Sequence, residues 1–211
     1  MTIAEPTTTL TDYAMGAVGL VLGSRLVASA ARGRHTARAL WGLALAATGA
    51  AALMGGTSHG LGPHLSTGAR LALWRATFGT VGVANLLILA AAAMIALRGA
   101  ARQAVIVLLS ARLALFLALI AWRPAFRYVV YDYAVTLLSL AAFALHLRRR
   151  RGGAAWLMAG IGVSLAGALL QRAGLSLHRH FNHNDLFHVL QTIGIYFYYR
   201  AGALLEAPAD R

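Results

Sequence analysis

Residues 104–122 read AVIVLLSARLALFLALIAW, nineteen positions that carry a single charge, Arg112. A run of about twenty apolar residues is what an α-helix needs to cross the hydrocarbon of a bilayer. The rest of the chain repeats the pattern. Apolar runs separated by Gly, Pro or Arg predict helices at 10–31, 37–57, 69–97, 103–122, 126–147, 153–174 and 184–204. All four prolines, at 6, 63, 124 and 208, fall outside these runs, as helix interiors require. Trp41, Trp74, Trp122 and Trp156 each lie near the end of a run, where an amphipathic indole suits the membrane interface. Composition agrees: 59% of residues are hydrophobic and 12% charged, with a mean hydropathy of +0.67, outside the range of ordinary soluble domains. The expected fold class is an all-α integral membrane protein, a bundle of seven transmembrane helices forming one domain over residues 1–211.

The net charge of +13 comes from nineteen basic residues, all of them Arg, and most fall in alternate loops. Arg32, Arg34 and Arg38 lie between the first two helices, Arg98 and Arg102 between the third and fourth, and the run Arg148 to Arg151 between the fifth and sixth. Positive charge collects on the cytoplasmic side of cell-membrane proteins, so these loops and the C-terminus are expected inside and the N-terminus outside. Topology accounts for the basic run, and no nucleic-acid partner is expected. The N-terminal MTIAEPTTTLTDY lacks the basic stretch of a cleavable signal, so the first run is expected to remain as a helix. The absence of cysteine excludes disulfides and thiolate metal sites, and the absence of lysine excludes a retinal Schiff base. Gly19 and Gly23 form a small-xxx-small pair suited to helix packing.

This orientation gathers the polar groups. Of six acidic residues, Glu5, Glu206 and Asp210 lie in the tails. Asp12, Asp132 and Asp185 fall toward the outer ends of their helices, as do His59 and His188, and Arg75 and Arg172 approach the same level. The last helix begins within FNHNDLFHVLQTIGIYFYYR, residues 181–200. On a helix, Asn184, Asp185 and His188 share a face with Gln191 and Thr192. Asn182 or Asn184 could cap the helix and leave His183 to turn inward. Capping alone would explain a polar helix start, but His188 lies too deep to cap. His59, at the end of the second helix, is the natural second ligand, because two imidazoles, a carboxylate and a water make an open zinc site. His64, His178 and His180 are expected in loops, and His35 and His146 at the opposite end. Arg112 needs a partner in the membrane, either Asp132 or a lipid phosphate or carboxylate. Asp132 could orient a ligand, act as a base or be a buried hydrogen-bonded acid.

Seven spans, an outward N-terminus, GGTSHG around His59 and NHNDLFHVLQ around His188 resemble the CREST superfamily of transmembrane metal hydrolases, which includes alkaline ceramidases and adiponectin-type receptors. The family pattern has Ser four residues before the helix 2 His, an Asp near the start of helix 3 and a His-xxx-His pair in helix 7. Here Gly55, Arg70 with Arg75, and Asn184 occupy those places. The resemblance implies zinc ligation by His59 and His188, with His183 or Asp185 completing a rearranged set, or else a chain that has lost its metal. It further implies hydrolysis of a membrane lipid amide or ester near the outer face. Asp185 or Asp132 would take the proton, and Arg75, Arg112 or Arg172 would hold an anionic head group. The competing expectations are a haem or redox carrier with His59 and His188 as axial ligands, and a receptor or structural bundle without enzymatic activity.

Overall fold

Each apolar run is a helix, and the helices end where the local chemistry stops them. The computed structural model describes residues 2–147 and 153–204. The Arg148 to Arg151 run, Glu206, Asp210 and the C-terminus lie outside the described residues. Among those residues the elements are α1 (Pro6–Gly33), α2 (Thr36–Leu61), α3 (Thr67–Ala96), α4 (Gly99–Trp122), α5 (Phe126–Leu147), α6 (Gly153–Arg172) and α7 (His183–Leu204), with a single 3₁₀ turn over Gly62–His64. Pro6 opens α1, where its missing N–H costs nothing. Arg34 closes α1 in the left-handed region at φ 53°, and the His35 N–H reaches the Ala30 carbonyl at 3.0 Å. At the end of α6, Gly174 takes φ +68° and the Leu175 N–H bonds the Leu170 carbonyl at 3.2 Å, so the chain turns without leaving the last carbonyls bare. Ser66 caps α3 through the Ala69 N–H at 3.2 Å.

Six of the seven helices, α1 to α6, are long and apolar enough to cross a membrane. The exception is α7, whose buried face carries Asp185, His188, Gln191 and Tyr198. α7 packs against α6, α1 and α2, so its polar stripe points into the bundle. Among the described residues, the connections reverse the chain between successive helices. One end of the bundle, the N-terminal end, therefore holds the starts of α1, α3, α5 and α7, and the other, the arginine-rich end, holds Arg32, Arg34, Arg38, Arg98 and Arg102.

The closest helix pair is α1 with α2, joined along a seam of glycines. A Cβ on Gly19 would stand 2.8 Å from the Gly49 Cα, one on Gly49 2.6 Å from the Gly16 carbonyl, and one on Gly42 2.7 Å from the Gly23 carbonyl. No side chain fits at these crossings, because backbone meets backbone. The main core lies at the arginine-rich half of the bundle, where Leu26, Trp41, Leu45, Leu140, Leu157 and Ile161 interlock across α1, α2, α5 and α6. Trp41 corrects the expectation of an interfacial indole: it is 1% exposed, and its Nε1–H donates to the Tyr198 carbonyl at 2.9 Å. Trp122, at 71% exposure, fits the expectation. A smaller aromatic cluster of Phe78, Phe116, Ile120 and Val129 ties α3, α4 and α5 at the N-terminal end. α4 is the peripheral helix, with only Phe116 and Ile120 buried.

The seam sets a stability test. Gly49→Leu should destabilise the protein by about 1–3 kcal/mol through overpacking. Gly162→Ala, where an added Cβ meets nothing, should be neutral or gain up to about 1 kcal/mol from helix propensity. Denaturation midpoints in detergent would separate the two, and equal stabilities would refute a close seam.

Candidate functional site

The polar start of α7 does two jobs. Asn182 is the N-cap: its Oδ1 accepts from the Asn184 N–H at 2.7 Å and the Asp185 N–H at 3.4 Å. Asp185 reaches back, Oδ2 accepting the Asn182 N–H at 2.7 Å, which completes a reciprocal capping box. Capping uses one oxygen of Asp185. The other, Oδ1, is buried and has no hydrogen-bond donor, and the residue is 0% exposed. Asn184 points to α6, where the Gln171 amide donates to its Oδ1 at 2.9 Å. His183 occupies the first position of α7.

One turn deeper, His188 is held from α1 on both ring nitrogens. Nδ1 lies 3.1 Å from the Thr11 hydroxyl and Nε2 lies 3.3 Å from Asp12 Oδ1. The Thr11 hydroxyl lies 3.0 Å from the Thr8 carbonyl as well, so its one proton can go to that carbonyl, with the ring proton on Nδ1, or to Nδ1, with the ring proton on Nε2. With the proton on Nε2 the ring donates to Asp12 Oδ1, and with the proton on Nδ1 the Nε2 lone pair faces that oxygen and the contact needs a proton or another cation between them. Asp12 Oδ2 is likewise buried without a donor. Asp12 is 3% and His188 7% exposed, and the charge of Asp185 acts on both. The α1–α7 joint is completed by the Asn182 amide, which donates to the Thr8 hydroxyl at 3.4 Å. The glycine seam extends to this point: a Cβ on Gly56 would lie 2.8 Å from the Asp12 Cβ, and one on Gly55 3.6 Å from Asp12 Oδ2.

His59 and His188 therefore meet different carboxylates. His59 sits in the last turn of α2, its Nδ1 3.2 Å from Glu5 and its ring edge-on to Trp74 at 5.7 Å. Glu5 is thus a partner of His59 at the head of α1, not a bystander in a tail. As the side chains stand, no group of three or more His, Cys, Asp or Glu among the described residues could hold a metal ion. His59, His183 and His188 are not gathered into one ligand set.

Asp132 and Arg112 are bound to each other, the first of the two partners expected for Arg112. Arg112 Nε donates to Asp132 Oδ1 at 2.8 Å, and its Nη2 reaches the Asp132 carbonyl and the Thr136 hydroxyl, the latter at 2.8 Å. The Asn85 amide donates to the second oxygen, Asp132 Oδ2, at 2.7 Å. Every donor that the carboxylate needs comes from α3 or α4, so this is a closed clasp of α3, α4 and α5. Arg75 also serves a helix end, donating from Nη2 to the Ala121 carbonyl of α4 at 2.7 Å. Arg172 is exposed at the end of α6. The three arginines are not gathered around one site.

Below His188 the stripe continues as a second polar network. Tyr133 donates to Gln191 Oε1 at 3.0 Å, Ser164 lies 3.2 Å from the same oxygen and 3.1 Å from the Tyr198 hydroxyl, and the Gln191 amide donates to the Ser164 carbonyl at 3.2 Å. Sequence reasoning missed Thr8, Thr11, Ser164, Tyr133 and Tyr198, since hydroxyls in apolar helices give no strong signal. Asp12 did give one: an acid inside an apolar run needs a partner.

Residues 7–207 match a family described as a family of unknown function, DUF6962. The chain belongs to that family. No curated protein and no solved structure matches it.

The clasp gives a sharp expectation. Asp132→Ala should cost about 3–5 kcal/mol by stranding the Arg112 charge, and adding Arg112→Leu should recover most of the loss. Unfolding of the single and double variants in detergent tests this; a double variant no more stable than the single one would show that the pair is not the source.

Proposed function

We propose that all seven helices cross the cell membrane, with the N-terminal end outside and the arginine-rich end in the cytoplasm, and that the protein is a zinc-dependent hydrolase of a lipid amide or ester. The reading is carried by two buried acceptor atoms without a donor, Asp12 Oδ2 and Asp185 Oδ1, together with the 3.3 Å contact of His188 Nε2 with Asp12 Oδ1. Buried acceptors with nothing to accept from are costly, and a shared cation removes the cost. One imidazole and two carboxylates suit zinc in chemistry, although the side chains would have to close around it. In support, position 55, where the CREST pattern has serine, lies against Asp12.

The ligand set that follows differs from the one read in the sequence. His188, Asp12 and Asp185 would hold the metal, and His59 would remain with Glu5. When bound, zinc supplies Lewis acidity toward a water molecule and a carbonyl. The chain supplies the rest. With the ring proton on Nδ1, the Thr11 hydroxyl accepts it and Nε2 presents its lone pair. Asn182 pins Asp185 by one oxygen and leaves the other uncommitted. Asp12, beside Nε2 and bearing an uncommitted oxygen, is better placed than Asp132 to take a proton from water, because Asp132 is saturated by Arg112 and Asn85.

Protein expressed with supplementary zinc and purified without chelator should contain about one zinc per chain. It should cleave an N-acyl or O-acyl lipid carrying a fluorescent acyl chain. His188→Ala and Asp12→Asn should lose both properties, with turnover down at least about 100-fold, and His59→Gln should keep its zinc. Thr11→Val, which removes only the orienting hydroxyl, should weaken zinc binding about 10-fold. Wild-type chain without stoichiometric metal under these conditions would overturn the reading and leave a non-enzymatic bundle.

A further inference from the structure

At the arginine-rich end, a cavity of about 500 Å³ opens between α1, α2 and α7. Its walls include Arg25, Ser29 and Arg32 of α1, Arg38 of α2, and Tyr199 and Ala203 of α7. Arg25, Ser29 and Arg32 follow one another at spacings of four and three, so α1 presents them as one stripe. Arg25 and Arg32 are exposed. Arg38 is anchored on the α7 side by a 3.4 Å bond from Nη2 to the Ala203 carbonyl. No acidic residue lines this cavity among the described residues.

We propose that this cavity binds the phosphate of an anionic membrane lipid. The Arg25 and Arg32 guanidinium groups match phosphate in charge and in fork geometry. Basic pockets between membrane helices are the usual seat of such head groups. The lipid, rather than a soluble phosphate, is indicated by depth. Arg25 lies eight residues before the end of α1, about 12 Å along the axis. Deeper still on the same stripe, Val21 is 51% exposed and Leu10 68% exposed, an apolar track along which an acyl chain can lie while its phosphate meets Arg25 and Arg32. Arg25 can reach up toward the interface while its stem stays in apolar surroundings.

The test uses the full chain in detergent, exchanged into mixed micelles of phosphatidylcholine and phosphatidylglycerol, with retained lipid read by native mass spectrometry. Wild type should retain phosphatidylglycerol in preference to phosphatidylcholine. Arg25→Gln with Arg32→Gln should reduce that retention about tenfold. Ala28→Trp, which fills the cavity from an exposed lining position and leaves every charge in place, should do the same and guards against misfolding of the charge variant. Equal retention by wild type and Ala28→Trp would overturn the proposal. So would displacement of the lipid by millimolar inorganic phosphate, which would assign the cavity to a soluble anion. Retention that appeared only after Glu206→Gln and Asp210→Asn would likewise overturn it, by making the chain's own acidic tail the occupant.

Discussion

The backbones of α1 and α2 touch, and much of the rest depends on that approach. Where Gly16, Gly19 and Gly23 meet Gly42 and Gly49, an added Cβ would fall within 3.0 Å of backbone or side-chain atoms. Lipid tails are as apolar as leucine, so hydrophobicity alone cannot choose which helices pair; close van der Waals contact can. The seam fixes the register of α1 on α2 and carries Asp12 over Gly55 and Gly56. A displacement of one residue along either helix would put a larger group under the carboxylate or turn it away from α7.

Two pairings of acid and base lie in the same bundle and differ in completeness. Around Asp132, donors from Arg112 and Asn85 meet both carboxylate oxygens, so the charge is compensated and the geometry closed. Around Asp12, one imidazole nitrogen faces one oxygen, the second oxygen has no donor, and Asp185 adds another uncommitted oxygen nearby. A saturated ion pair stabilises a helix arrangement and leaves no valence for chemistry. An unsaturated cluster costs stability, and such cost is characteristic of sites that bind or transfer something.

α7 joins the Asp12 region to the network around Ser164. Its inward face bears Asp185, His188, Gln191 and Tyr198 at spacings of three, three and seven residues, so the polar groups descend one side of the helix. His188 meets α1, while Gln191 meets Ser164 of α6 and Tyr133 of α5, and Tyr198 meets Ser164. At its far end the helix narrows to Gly202, where an added Cβ would strike the Trp41 ring at 2.5 Å. Its neighbours satisfy Gln191 and Tyr198 and leave one oxygen of Asp185 without a donor.

The helices were legible in the sequence because a membrane span is a local property, about twenty apolar residues bounded by Gly, Pro and Arg, and it needs no knowledge of neighbours. The same is true of His188, since a histidine one turn inside an apolar helix is costly wherever the helix lies. Partners are not local. Nothing in the order of residues indicated that Asp12 rather than His59 would meet His188, because that depends on which face α1 turns to α7 after the glycine seam has set its rotation. Likewise the arginine at 112 announced its need for a partner, and only the packing of α3, α4 and α5 showed that Asp132 and Asn85 meet that need completely, leaving the acids of α1 and α7 as the pair with unfilled valence.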